Sequence, residues 1–294
     1  MKMTKLGIVI VNYNDYKTTI ELLNNIKDYK CLTSIVIVDN CSTDESVKHL
    51  KKYENKKICI LEAKENKGYA AGLNIGAKYL NEKHKKCNII FSNSDIIISK
   101  EEDLKKLSDD IKENIAVVGP TIVENKALNR GWKMPTVKDE IKFNLPLISR
   151  KYRKENLYTD EYYQGNLSTV GVVSGCFFCV SGEALKKVDY FDEVTFLYYE
   201  EQILAKKLEK IGLTEAVDNN VVVIHNHSVT IDKNVKRINK YKILKTSQRY
   251  FVKKYLNAND NELKKLNFTK NLSLILLYIR CFFKGGLKKW KELF

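Results

Sequence analysis

Apolar positions in this chain come in short unbroken runs, and each run stops on polar residues. Leu6–Val11, Ser34–Val38, Ile58–Leu61, Asn88–Phe91 and Ile115–Val118 are rich in Ile and Val, as strands buried on both faces must be. Between them the pattern changes to helical spacing. Ile20, Leu23 and Ile26 fall on one face of a helix that Asp15 is placed to cap. Further helices are predicted from Asp44 to about Tyr53, over Gly68–Asn81 and over Glu101–Lys112. Strands alternating with helices at this spacing predict an α/β fold, with a mainly parallel sheet and helices on both faces. Polar residues gather just beyond the strands, at 12–15, at 39–40 and at 92–95, the edge where such sheets bind ligands.

After Glu124 the periodicity fades, and 124–165 reads as a long irregular excursion. Excursions of that length are usually functional or mobile. Apolar signal returns over Ser168–Val180, followed by a helix around Glu200–Ile211 and a last strand, Val221–Ile224, that runs into His225 and His227. Beyond Asn234 the chain reads as basic helix. Residues 233–294 hold 17 Lys and Arg against 3 Asp and Glu, so nearly all of the net charge of +15 lies there. The expected division is a body of 1–232, with halves of about 1–120 and 121–232, and a basic helical appendage of 233–294. Such an appendage suits a polyanionic neighbour. Leu272–Phe283 is apolar but shorter than the roughly 20 residues of a spanning helix. It reads as an interfacial helix, with Trp290 and Phe294 near lipid headgroups, or as a helix packed on the body. The first apolar run is too short for a signal segment and stops at Asn12. The seven cysteines, odd in number, are therefore expected to be reduced thiols in a cytoplasmic protein.

Candidate chemistry sits at the strand ends. Asp39 closes a strand, where a carboxylate accepts hydrogen bonds from a base or ribose or else caps the following turn. Asn66-Lys-Gly-Tyr-Ala-Ala-Gly-Leu-Asn-Ile-Gly76 puts Gly68 and Gly72 at a helix start, for close approach to a ligand or for helix–sheet packing. It is neither a G-x-G-x-x-G fingerprint nor a P-loop. Asp95, ending Phe91-Ser-Asn-Ser-Asp95, is suited to a hard cation that shares phosphate oxygens, or to a polar turn. Glu200 and Glu201 follow the aromatic run Phe196-Leu-Tyr-Tyr199. Partial burial there suits a general base, while first-turn acids also complement a helix dipole. His225 and His227 are candidate metal or phosphate ligands or structural histidines. Cys176-Phe-Phe-Cys179 has no second pair and reads as buried thiols.

In their order and spacing these stretches resemble the inverting glycosyltransferase family 2, of the GT-A fold, in its rhamnosyltransferase-like branch. The matching segments are Ile8-Val-Ile-Val-Asn-Tyr-Asn14, Val36–Asp44, Asn66–Asn74, Phe91–Asp95, Val173-Ser-Gly-Cys176 and Phe191-Asp-Glu through Glu201. The resemblance implies transfer of a sugar from a nucleotide-sugar to a glycan or lipid-linked glycan acceptor. Asn12, Asn14 and Asp39 would serve the donor's nucleotide, and Asn66, Gly68, Gly72 and Asn93 the pocket around nucleotide and sugar. Asp95, in an Asn-x-Asp version of the family's acidic motif, and His225 would hold a divalent metal, Mg²⁺ or Mn²⁺. Glu201 would be the catalytic base, where the family usually has Asp. The basic tail and family habit together imply a peripheral protein on the inner face of the cell membrane, with anionic lipid and no nucleic acid as its partner. Two other classes remain: a sugar nucleotidyltransferase, and a catalytically silent relative that binds nucleic acid or membrane.

Overall fold

The computed structural model describes residues 4–125, 127–146, 148–226 and 237–291, without the side chains of 237 and 280–291. His227 and Phe294, and the side chain of Trp290, lie outside the described residues.

The alternation read from the sequence is present. Its first part runs β1 (Lys5–Asn12), α1 (Tyr16–Ile26), β2 (Ser34–Asp39), α2 (Ser46–Leu50), β3 (Ile58–Glu62), α3 (Tyr69–Lys83), β4 (Cys87–Ser92), β5 (Ile96–Ile97), α4 (Glu101–Asp109) and β6 (Ile115–Glu124). The chain continues through β7 (Ala127–Asn129), α5 (Val137–Lys142), α6 (Ser149–Glu155), β8 (Leu167–Val170), β9 (Phe177–Ser181), α7 (Gly182–Lys187), α8 (Glu200–Glu209) and β10 (Thr214–His225). Two long helices, α9 (Arg237–Lys254) and α10 (Asp260–Lys291), close it.

The sheet order is β3-β2-β1-β4-β9-β6-β10-β5, with β7 beside β6 and β8 beside β10. The block β3-β2-β1-β4 is wholly parallel, and β10 runs parallel to β6. β9 is antiparallel to both β4 and β6. Strand alternation divides the core into two layers. Ile8, Ile10, Ile35 and Ile37 face Leu22, Leu23 and Ile26 of α1. Val9, Val36, Val38 and Phe91 face Ala70, Leu73, Ala77 and Leu80 of α3, with Leu204 and Leu208 of α8. Gly72 and Gly76 let α3 lie close to the sheet, since a Cβ on either would strike Val11 or Val9 at 2.9 and 2.4 Å.

Two compact units emerge, Met1–Lys133 with Tyr158–Asn234, and Met134–Leu157 with Val235–Phe294. The irregular excursion expected over 124–165 is therefore a misreading. It contains β7, α5 and α6, and residues 134–157 belong with the C-terminal helices. A capping box starts α5, with Thr136 and Asp139 each bonding the other's backbone N–H. The helices were hard to see because this unit buries polar groups. Gln248 donates to Glu140 at 2.7 Å, and Lys245 donates to Asn144.

Candidate active site

Parallel register pairs Asn12 with Asp39, so the polar ends of β1 and β2 meet in a buried position. The Asn12 amide donates to Asp39 Oδ2 at 2.8 Å, and Ser42 N donates to Asp39 Oδ1 at 2.9 Å. Asn14 joins them. Its N–H donates to Ser42 Oγ at 2.9 Å, and its Oδ1 accepts from Thr43 N at 2.7 Å. Asn14 and Cys41 both adopt the left-handed backbone (φ 51° and 63°), which bends the two loops toward each other. Asn40 closes the floor by donating to Asn66 Oδ1 at 3.0 Å and to the Gly68 carbonyl at 3.1 Å. Asp39 thus ties down the rim of a polar cup at the sheet's carboxyl edge.

Gly68 holds φ 104° and ψ −179°, a conformation open essentially to glycine alone. A Cβ there would lie 2.2 Å from the Phe196 carbonyl oxygen. The close approach at Gly68 is therefore made by the segment leading into Glu200 and Glu201. Tyr69 N donates to Phe196 O at 2.8 Å, and Asn74 exchanges two hydrogen bonds of 2.9 Å with the Phe191 backbone. The segment 191–199 is hung on α3 by these contacts.

Its end is strained, because Tyr198 and Tyr199 are consecutive left-handed residues (φ 72° and 73°). They turn the chain so that Glu200 and Glu201 open α8 pointing inward. Burial pushes the Glu200 carboxyl up to about 8, helped by the charge of Glu201, and burial pushes Glu201 up to about 7. The two titrate as a pair. Glu200 is the deeper, and Glu201 keeps a partly exposed edge. Gly175 presents backbone to Glu201, where a Cβ would stand 3.2 Å from Oε2.

At the other side of the cup β5 pairs with β10 and sets Ile96 opposite His225. That register brings the Asp95 carboxylate to 3.2 Å from His225 Nε2, with Glu124 3.9 Å from Nδ1. Burial works against a charged His225. Hydrogen bonds with Asp95 and Cys176 outweigh it and raise the imidazole to about 10. Tyr69 OH donates to Asn93 Oδ1 at 2.9 Å. Burial raises that phenol well above its ordinary value, and the charges of Glu200, Cys176, Asp95 and Glu201 add to the effect. One side chain thus lies beside both the Asp95 corner and the Glu201 corner.

Among the described residues no three His, Cys, Asp or Glu side chains converge as a cation cage. Asp95 supplies one carboxylate, and His225 supplies an imidazole once a cation displaces the proton it shares with Asp95. That set fits a cation completed by diphosphate oxygens and water. The described cysteines are all free thiols, and Cys179 lies in the core, where burial raises its thiol.

Residues 7–189 match the family model for glycosyl transferase family 2. The chain belongs to that family. It is a nucleotide-sugar-dependent glycosyltransferase of the GT-A fold. It is 24% identical over 229 residues to the low-salt glycan biosynthesis hexosyltransferase Agl10 of Haloferax volcanii, covering 76% of this chain and 68% of the relative. A segment of 105 residues is 32% identical to the poly(ribitol-phosphate) beta-N-acetylglucosaminyltransferase TarS of Staphylococcus aureus, covering 34% of this chain and 18% of TarS. Among solved structures, the mannosyltransferase PcManGT of Pyrobaculum calidifontis, in complex with GDP-Man and Mn²⁺, superposes with a TM-score of 0.58. It is 14% identical, over 93% of this chain and 73% of that one. TarS residues 1–349 with UDP-GlcNAc give 0.56, at 18% identity over 89% and 69%.

The sequence reading of the site did not include Tyr69, Asn74, Glu124, Cys176 or Glu215. Tyr69 and Asn74 lie inside the Asn66–Gly76 motif, where the glycines drew attention. Glu215 gave no signal. It is buried on β10, accepts from Val173 N at 2.8 Å, and is raised to about 8 by burial, with the Glu201 charge adding.

Proposed function

We propose that this glycosyltransferase moves a sugar from a nucleotide-sugar onto a lipid-linked or growing cell-surface glycan by inverting single displacement. The observation that carries the reading is the span from Glu201 past Tyr69 to the Asp95–His225 pair along one edge of the sheet. Donor nucleotide binds in the cup of Asn12, Asn14, Asp39 and Asn66, with Asn93 beside nucleotide and sugar, while Gly68 and Gly72 act from behind the site by admitting the 191–199 segment and the sheet. Asp95 and His225 hold a divalent cation, Mg²⁺ or Mn²⁺, which when bound neutralises diphosphate charge. Glu201 takes the proton of an acceptor hydroxyl while that oxygen bonds to the anomeric carbon and the bond to the diphosphate breaks. A raised carboxyl suits this task, because a base works best when its pKa lies near the working pH. Tyr69, donating to Asn93, fixes the side chain beside the diphosphate.

The basic C-terminal region supports a place on the inner, cytoplasmic face of the membrane, against anionic lipid. No described helix is long and apolar enough to cross a membrane.

A donor panel with Mg²⁺ or Mn²⁺, read as released nucleoside diphosphate with membrane extract as acceptor, tests the reading. Release from one donor, lost in Asp95→Ala and in Glu201→Gln, is the expected result. NMR of the product should show an inverted anomeric centre. Near-normal transfer by both variants would overturn the assignment.

A further inference from the structure

Helix α10 packs through one face and leaves an apolar face outward. Leu263, Leu266 and Thr269 are buried against the helical unit. On the opposite side Phe268 is 70% exposed, Ile275 57%, Ile279 45% and Leu272 39%. At 3.6 residues per turn these four positions fall within an arc of about 60°. Leu276 and Tyr278, also exposed, widen the stripe on either side. An ordinary surface helix turns its apolar stripe inward, whereas this one carries a second stripe that no described residue covers.

Charge decides what can cover it. From Leu263 to Lys291 the helix has eight basic residues, Lys264, Lys265, Lys270, Arg280, Lys284, Lys288, Lys289 and Lys291, and no acid. Lys264 and Lys265 are exposed one turn before Phe268, one on each side of the stripe. A second copy of the helix would bring a second row of cations with nothing to neutralise them. A nucleic acid would meet the cations but has no use for a row of aliphatic side chains. A surface that is apolar inside and anionic outside satisfies both features at once.

We propose that the Phe268–Leu272–Ile275–Ile279 face of α10, flanked by Lys264 and Lys265, is the docking surface for an anionic lipid bilayer. The helix lies in the plane of the interface, with the stripe among the upper acyl carbons and the lysines at the headgroups. The inference rests on the membrane attachment proposed above and names the side chains that make it. It is independent of the transfer chemistry.

The test is sedimentation of the full chain with vesicles of phosphatidylcholine alone and of phosphatidylcholine mixed with phosphatidylglycerol, at low and high salt. Wild type should bind the mixed vesicles, and salt should weaken the binding. The double variant Phe268→Glu/Ile275→Glu should bind at least tenfold more weakly, with unchanged helical circular dichroism. Lys264→Gln and Lys265→Gln should each weaken binding to mixed vesicles about fivefold, the factor expected of one charge at such a surface. Release of nucleotide from donor in vesicle-free buffer should be the same in all four proteins. Unchanged vesicle binding by the Phe268→Glu/Ile275→Glu protein would overturn the proposal. So would a shift of that variant from dimer to monomer, or RNA binding that outcompetes the mixed vesicles. Vesicle binding without donor turnover would sink the transfer reading and leave the docking surface standing.

Discussion

Gly68→Ala tests the link between the helix α3 start and the catalytic segment. Two penalties separate cleanly. At φ 104° and ψ −179° an alanine is strained by about 1–3 kcal/mol whatever surrounds it. Its Cβ also meets backbone, at 2.2 Å from Phe196 O and 2.6 Å from Phe196 Cα, so no rotamer change relieves it. Restoring ordinary contact requires the 191–199 segment to move by about 1 Å, which breaks the Tyr69 N–Phe196 O hydrogen bond at about 1 kcal/mol. The expected loss of stability is about 2–4 kcal/mol by urea unfolding. Because Glu201 follows five residues after Phe196, the same displacement should lower kcat/KM for transfer about 100-fold. Gly165→Ala is the control. Gly165 is also left-handed, at φ 73°, but a Cβ there meets nothing within 4 Å. It should show backbone strain alone and normal transfer. Equal stability losses in the two variants, with transfer intact in Gly68→Ala, would refute the idea that Gly68 positions the base.

Glu201→Gln should reduce transfer about 10²- to 10⁴-fold, the usual range for a general base, while donor affinity measured by calorimetry is retained. Transfer by wild type should rise with pH through about 7, as Glu201 loses its proton. Stability should run the other way. Glu200, Glu201 and Glu215 bind protons more tightly folded than unfolded, so chemical denaturation should show stability falling as pH rises from about 4.5 to about 8. Glu215→Gln keeps an oxygen for Val173 N but removes a buried titrating proton. It should flatten that fall by about 5 kcal/mol and leave the pH–rate limb near 7, because a carboxyl raised to about 8 is still largely protonated there. In the helical unit, burial and the charge of Arg153 pull Lys245 down to about 8. Stability should therefore rise by about 3 kcal/mol between pH 8 and 10.5, and Lys245→Met should abolish that rise.

The parallel block was legible because strands covered on both faces must be apolar throughout, and those of this chain end abruptly on Asn12, Asp39 and Ser92. Direction was not legible. Phe177–Ser181 carries the same apolar signal as its neighbours, yet it runs antiparallel to β4 and β6, which periodicity cannot tell. The strand expected over Ile115–Val118 continues to Glu124, through a Gly119–Pro120 pair that reads as a stop. A register shift in β10 between Asp218 and Val222 accommodates that passage. In the site, residues at strand ends were found from sequence because topology fixes where such ends lie. Tyr69 and Glu215 were not, because their importance comes from what folding places opposite them.

The placement of Glu201 is a balance of opposing effects. Burial favours its protonated form. Backbone N–H groups at the start of α8 favour the carboxylate. A carboxyl at that position in a solvated turn would be ionised well below neutrality and would be a weak base. One sunk without the helix start would hold its proton too firmly to act. The two left-handed tyrosines set this depth, because they allow α8 to begin with its first two side chains facing the cup. Their strain is offset by the attachments of 191–199 to Tyr69 and Asn74. Asn74→Ala, which removes the attachment at Phe191 but leaves Gly68 and Glu201 intact, should let the segment relax away from α3. The resulting exposure of Glu201 should shift the pH–rate limb toward the ordinary carboxylate range while lowering the maximal rate. A limb unmoved in Asn74→Ala would mean that depth is set by α8 packing alone, through Leu204 and Leu208.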